Sequence, residues 1–224
     1  MNLKKIFTVF FLSFFISAAN AAEPYFAGDS ISPTLIDPPF VQDSAEWKEE
    51  LNYIIKLQRK FNLQEIDQAL DERKLRPENV AQFVDPTLTR EKNPKLYRLL
   101  DRVEQTSRNV TDNFKNHWQE TRPYLVDKRV KVLITPSEGF SYPSGHATGS
   151  FIYAHVLSLL MPQKQQEFED RAEKIAKRRQ LVGLHFPKDL VGGKQLSLLV
   201  VGGLTQNKDF QKDLKAAKKE LEKE

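Results

Sequence analysis

From Ser44 to the C-terminus the apolar residues fall at helical rather than strand spacing, and this regularity excludes most fold classes. Ser44 is a good N-cap, and Trp47, Leu51, Ile54 and Ile55 form one stripe in a stretch that reads as helix from Ala45 to Phe61. Asn62 with Glu65 resembles a capping box, and Ile66 and Leu70 continue a second helix. Asn93-Pro94 marks a third start, with proline at the first helical position. Leu96, Leu99, Leu100, Val103 and Val110 give that helix its apolar face. It is expected to run to about Thr121, because the residue before Pro123 avoids helical geometry. Only Val130 to Ile134 alternates as a strand does.

Pro143-Ser144-Gly145-His146 predicts another helix start, and the run Phe151 to Met161 is apolar on all sides, so this helix is expected to be central and buried. Gln163 to about Leu184 is amphipathic and charged. Pro187 opens a helix containing Gly192, Gly193, Gly202 and Gly203, small residues that permit close helix approach. Lys208 to Glu224 reads as an exposed charged helix, Ala22 to Asp43 as a proline-rich extended arm, and Asp127 to Tyr142 as irregular chain. The expected fold class is all-α: a single-domain helical bundle around one central buried helix.

The first residues are expected to be no part of that bundle. Lys4 and Lys5 precede an apolar run from Ile6 to Ala18, and Ala19-Asn20-Ala21 supplies small residues for cleavage. This is the pattern of a secretory signal peptide over residues 1–21, leaving 22–224 as the single folded domain. The run is short for a membrane span, so no stable membrane anchor is expected, and the localisation expected is periplasmic or secreted. The chain has no cysteine, which excludes disulfides, thiolate metal sites and a cysteine nucleophile. Its net charge is +4, of which Lys4 and Lys5 supply two. That bias is too weak to suggest nucleic acid, and the basic clusters at Lys177-Arg178-Arg179 and at Lys215, Lys218 and Lys219 read as solvated helix faces.

Three short segments carry chemistry. In the first, Lys115 and Arg122 stand seven apart, two helical turns, which places two cations near one face of a helix end. They could clamp a dianion; a solvated cationic face would look the same. In the second, Tyr142-Pro143-Ser144-Gly145-His146, a helix start offers free backbone N–H groups, Ser144 a hydroxyl, and Gly145 room for an anion beside the backbone. Alone it is also an ordinary capping turn. In the third, which begins at Arg179, His185 and Asp189 are four apart. A carboxylate there can hold one imidazole nitrogen and leave the other nucleophilic, or the two can be a structural pair.

Together, in order and in spacing, the segments resemble the signature of the type 2 phosphatidic acid phosphatase superfamily: Lys, six residues, Arg-Pro; Pro-Ser-Gly-His; and Arg, five residues, His, three residues, Asp. The chain looks most like the soluble branch, the bacterial class A non-specific acid phosphatases, over most of its length after residue 43. The resemblance implies an all-helical secreted phosphatase of small phosphate esters and a homo-oligomer, with no cofactor and no metal. It makes His185 the nucleophile that becomes phosphorylated, Asp189 its orienting carboxylate, and His146 the acid that protonates the leaving alkoxide. Lys115, Arg122, Ser144, Gly145 and Arg179 become the phosphate ligands. One position departs: Arg178 stands where a serine is usual, which would alter hydrogen bonding around the site or add charge at its rim. The alternatives are a soluble lipid-phosphate phosphatase, a vanadium haloperoxidase, whose pocket is of this kind, and a non-catalytic phosphate binder.

Overall fold

The computed structural model describes residues 22–223, apart from residues 61 and 137; the expected signal peptide lies outside the described residues. The elements are α1 (Ala45–Leu57), α2 (Leu63–Asp71), α3 (Ala81–Val84), α4 (Pro94–Trp118), α5 (Pro123–Val126), α6 (Gly145–Leu160), α7 (Gln165–Leu181), α8 (Pro187–Gln206) and α9 (Lys208–Leu221), joined by short 3₁₀ turns. No strand occurs among the described residues. In the alternating stretch 130–134 the backbone pairs otherwise: Lys131 N–H donates to the Gln58 side chain (2.9 Å), and Leu133 N–H makes a single bond to the Val182 carbonyl (3.3 Å).

α6 is the central helix. Residues 147–154 are all buried, and α6 packs against α4, α7 and α8. Ile152 and Leu157 are 0% exposed, and burying a side chain of that size contributes about 1.5–3 kcal/mol. The predicted apolar face of α4 is buried throughout, at Leu96, Leu99, Leu100, Val103 and Val110. The arm before α1 docks along α4: Tyr25 N–H donates to Thr106 Oγ1 (2.9 Å), and a Cβ on Gly28 would lie 2.4 Å from the Asn109 carbonyl oxygen.

Several expectations fail at element ends. The first helix stops at Leu57, and Phe61 lies outside the described residues, as does Glu224 beyond α9. α4 stops at Trp118 because Gln119 takes a left-handed conformation (φ 51°). α7 stops at Leu181, and Gly183 turns the chain at φ +80°, where a Cβ would meet the Lys131 carbonyl at 2.4 Å. On α2, Leu70 is 52% exposed and the buried residue is Ala69. Among the glycines of α8, Gly193 meets the backbone of α6 (a Cβ there would be 2.8 Å from the Ser144 oxygen), whereas Gly202 faces open space.

The close approach at Gly193 is what assembles the site. It seats the start of α8 against the start of α6, where Ser144 N–H donates to the Asp189 carbonyl (3.0 Å). The Pro-Ser-Gly-His and His-Asp segments are thereby one surface.

Candidate active site

A cavity of about 740 Å³ opens beside these helix starts, and Lys115, Arg122, Gly145, His146 and His185 line it. Ser144, Arg179 and Asp189 stand behind its wall: all three are buried, and none of them lines it.

His185 precedes α8 and is 3% exposed. Its Nδ1 lies 2.9 Å from Asp189 Oδ2, and its Nε2 lies 3.3 Å from Arg122 Nη1. A guanidinium only donates, so Nε2 must present its lone pair and Nδ1 must carry the proton given to Asp189. Burial, and next the positive charge of Arg122, holds His185 well below the usual histidine range, in its neutral form. A neutral imidazole with a fixed Nδ1–H and a bare Nε2 facing a cationic cavity is a competent nucleophile.

Asp189 is the third residue of α8. Its Oδ2 accepts from Phe186 N–H (2.9 Å), which is half of a capping box, and from Ser141 Oγ (2.5 Å) as well as from His185. Its Oδ1 has no hydrogen-bond partner. Burial pushes Asp189 up, opposed by the Ser141 bond and by Lys115.

His146 is in the first turn of α6. Its Nε2 lies 2.8 Å from the Glu72 carbonyl oxygen, so Nε2 carries a proton and donates it there. Arg179 Nη1 lies 3.5 Å from the same nitrogen, and two donors at that distance repel. Burial first and Arg179 second push His146 well below its ordinary value.

The cations are held by carbonyls. Lys115 Nζ donates to the Phe140 (2.5 Å) and Ser141 (3.0 Å) carbonyls. Arg122 donates to those of Gly139 (3.0 Å) and Leu184 (3.1 Å), and Arg179 to that of Ala69 (2.8 Å). Burial, then Arg122, lowers Lys115 to about 7. Burial lowers Arg179 to about 10. Burial is the first cause of each shift, and an anion held beside Lys115 and Arg122 would oppose it.

The two-turn argument for Lys115 and Arg122 fails. Arg122 lies outside α4, as the N-cap of α5, and it reaches the cavity because the chain turns at Gln119. A Cβ on Gly145 would meet only Thr111 Cγ2, at 3.7 Å, so the protein's own packing does not require glycine there. The Ser144 hydroxyl accepts from Ala147 N–H (3.3 Å) and caps α6.

Arg178 and Arg179 form no solvated face, and Arg178 adds no charge to the rim: they are 4% and 1% exposed. The residue that the sequence reading missed is Glu72, which is 1% exposed. Its Oε1 binds Arg171 (2.8 Å) and Arg178 (2.7 Å), its Oε2 lies 3.5 Å from Arg179, and its carbonyl holds His146. Glu65, Gln68 and Glu72, at i, i+3 and i+7, form a polar stripe on α2, which was the available signal. Ser141 was missed as well, and no pattern marks it.

A family model described as the PAP2 superfamily matches residues 106–212. An acid phosphatase of Zymomonas mobilis is 29% identical over 134 residues, 58% of this chain and 51% of that protein. The chain thus spans about half the length of that relative. A non-specific acid phosphatase of Salmonella typhimurium is 24% identical over 98% of this chain and 93% of its own length. Among solved structures, a bacterial vanadium-dependent iodoperoxidase aligns with TM-score 0.57 at 20% identity, over 74% of this chain and 52% of that one, which is a likeness of fold.

Proposed function

We propose that this chain is a secreted acid phosphatase of the PAP2 superfamily, which hydrolyses small phosphate monoesters through a phosphohistidine on His185. The observation that carries the reading is the constellation at the cavity: an Asp189-held neutral imidazole, a second histidine, and Lys115, Arg122 and Arg179 around them. In this reading residues 1–21 are the signal peptide and 22–224 the catalytic domain.

The ester's phosphoryl group sits between Lys115, Arg122 and the N–H groups at the start of α6, the positive end of that helix, with Arg179 adding positive charge from behind the wall. His185 Nε2 forms the P–N bond as the P–O ester bond breaks. Asp189 keeps Nδ1–H oriented and offsets the positive charge that develops on the ring. His146 keeps its Nε2 proton on the Glu72 carbonyl, so Nδ1 delivers a proton to the departing oxygen. The bound dianion supplies the negative charge that raises His146 into its acid form. Water then attacks phosphorus, His146 Nδ1 takes its proton, the P–N bond breaks and phosphate leaves. In this reading no step is routed through a metal, because the cations supply the positive charge.

The test is rapid-quench trapping of phosphoenzyme with an alkyl and an aryl phosphate, with chelator present. His185→Ala is expected to abolish trapping. His146→Ala is expected to slow the alkyl ester far more than p-nitrophenyl phosphate, whose leaving group needs little protonation. Phosphate still trapped on histidine in His185→Ala, or equal slowing of both esters in His146→Ala, refutes the assignment.

A further inference from the structure

We infer that Arg178, the residue that departs from the family pattern, is a positioning residue: by pinning α2 it fixes the carbonyl that orients His146. The inference rests on the general-acid role proposed for His146.

The apolar attachment of α2 is small: Ala69 is buried against Ile134, Val182 and Leu184 with Ile66 packed alongside, while Leu63 is 74% and Leu70 52% exposed. The rest of its hold on the body is polar, and Arg178 is the centre of it. From α7 the Arg178 guanidinium donates to Glu65 Oε2 (3.2 Å), Gln68 Oε1 and Glu72 Oε1 (2.7 Å), reading the α2 stripe along two turns. A serine at this position is too short to reach any two of these groups together.

The end of α2 is where this matters. The last carbonyls of a helix lack intrahelical partners and carry its negative pole. Here two of them are given to functional side chains: the Ala69 carbonyl accepts from Arg179 Nη2 (2.8 Å), and that of Glu72, the C-cap, accepts from His146 Nε2 (2.8 Å). The His146 ring is thus aimed by the backbone of a helix that Arg178 holds in place. The Glu72 carboxylate ties the same point to Arg171 and Arg179. Loosening Arg178 frees the Glu72 carbonyl to move and lets the His146 ring swing from the line of proton delivery. His185 is held separately, by Asp189 and Arg122, and is unaffected.

That separation predicts a split between substrates. Arg178→Ser is expected to lower kcat/KM for glycerol phosphate roughly 10-fold, a fraction of the 10²–10⁴-fold that general acid catalysis supplies. For p-nitrophenyl phosphate the loss is expected to be under about 3-fold. Arg178→Lys keeps a charge for Glu72 but cannot span three acceptors, and the same split is expected in weaker form; it carries the test if the serine variant does not fold. Wild type and His146→Ala are measured alongside. An absence of leaving-group discrimination in His146→Ala refutes the general-acid reading itself. If that discrimination is present but the Arg178 variants match wild type, or slow both esters equally, Arg178 has no positioning role and the inference is overturned.

Discussion

Replacing Glu72 by Gln isolates the one negative charge that three buried arginines share. The carboxylate meets Arg171 at 2.8 Å, Arg178 at 2.7 Å and Arg179 at 3.5 Å, and these side chains are 6%, 5% and 1% exposed. Gln preserves the shape and one acceptor oxygen but removes the negative charge. Arg171 Nη1 and Arg179 Nε already lack hydrogen-bond partners, so the cluster holds no spare acceptor to compensate. Removing one partner of a buried ion pair costs about 3–5 kcal/mol, because the remaining charges stay desolvated. At roughly 2–4 °C per kcal/mol for a domain of this size, the melting temperature is expected to fall by about 6–20 °C. The assay is urea and thermal unfolding followed by circular dichroism, repeated in 1 M salt. Salt should restore little, since buried charges are weakly screened. Excess inorganic phosphate should restore part of the loss by binding the native cradle. A loss under about 1 kcal/mol, which is the range of an exposed pair, would refute the reasoning.

Asp189→Asn removes the negative charge and can turn an amide N–H toward His185 Nδ1, which favours the wrong tautomer, and phosphoenzyme formation in rapid quench is expected to slow by about 10³–10⁴-fold; a loss under tenfold would show that Arg122 alone sets the tautomer. Vanadate is expected to inhibit competitively and far more strongly than sulfate, because a five-coordinate adduct on His185 imitates the transition state; parity with sulfate in steady-state inhibition contradicts a histidine nucleophile. The pH profile of kcat/KM is expected to be a bell with its optimum below neutral. Lys115, lowered to about 7, is charged below that pH and loses its charge above it, so the free enzyme loses a phosphate ligand as pH rises. Activity that stays level to pH 9 would rule this out.

Much of the bundle is legible in the sequence because a helix is written locally. The stripe of α4, the all-round apolar character of α6 and the start signals at Ser44, Asn62 and Asn93 each depend on neighbours a few residues away. The spacing of His185 and Asp189 is likewise local, and their 2.9 Å bond follows from one helix start. The two-turn spacing of Lys115 and Arg122 misled because Gln119 ends the helix between them, and nothing in its neighbours announces a left-handed residue. The burial of Arg178 and Arg179 was equally unreadable. A run of basic residues looks solvated until a carboxylate from 106 residues earlier is folded against it, and only the packing of α2 on α7 supplies Glu72. Sequence alone determined which helices form and which residue types could handle a phosphate, since both are properties of short segments. Tertiary structure alone decided which carbonyls and carboxylates face those residues, because a buried charge is stable only where distant parts of the chain bring it a partner.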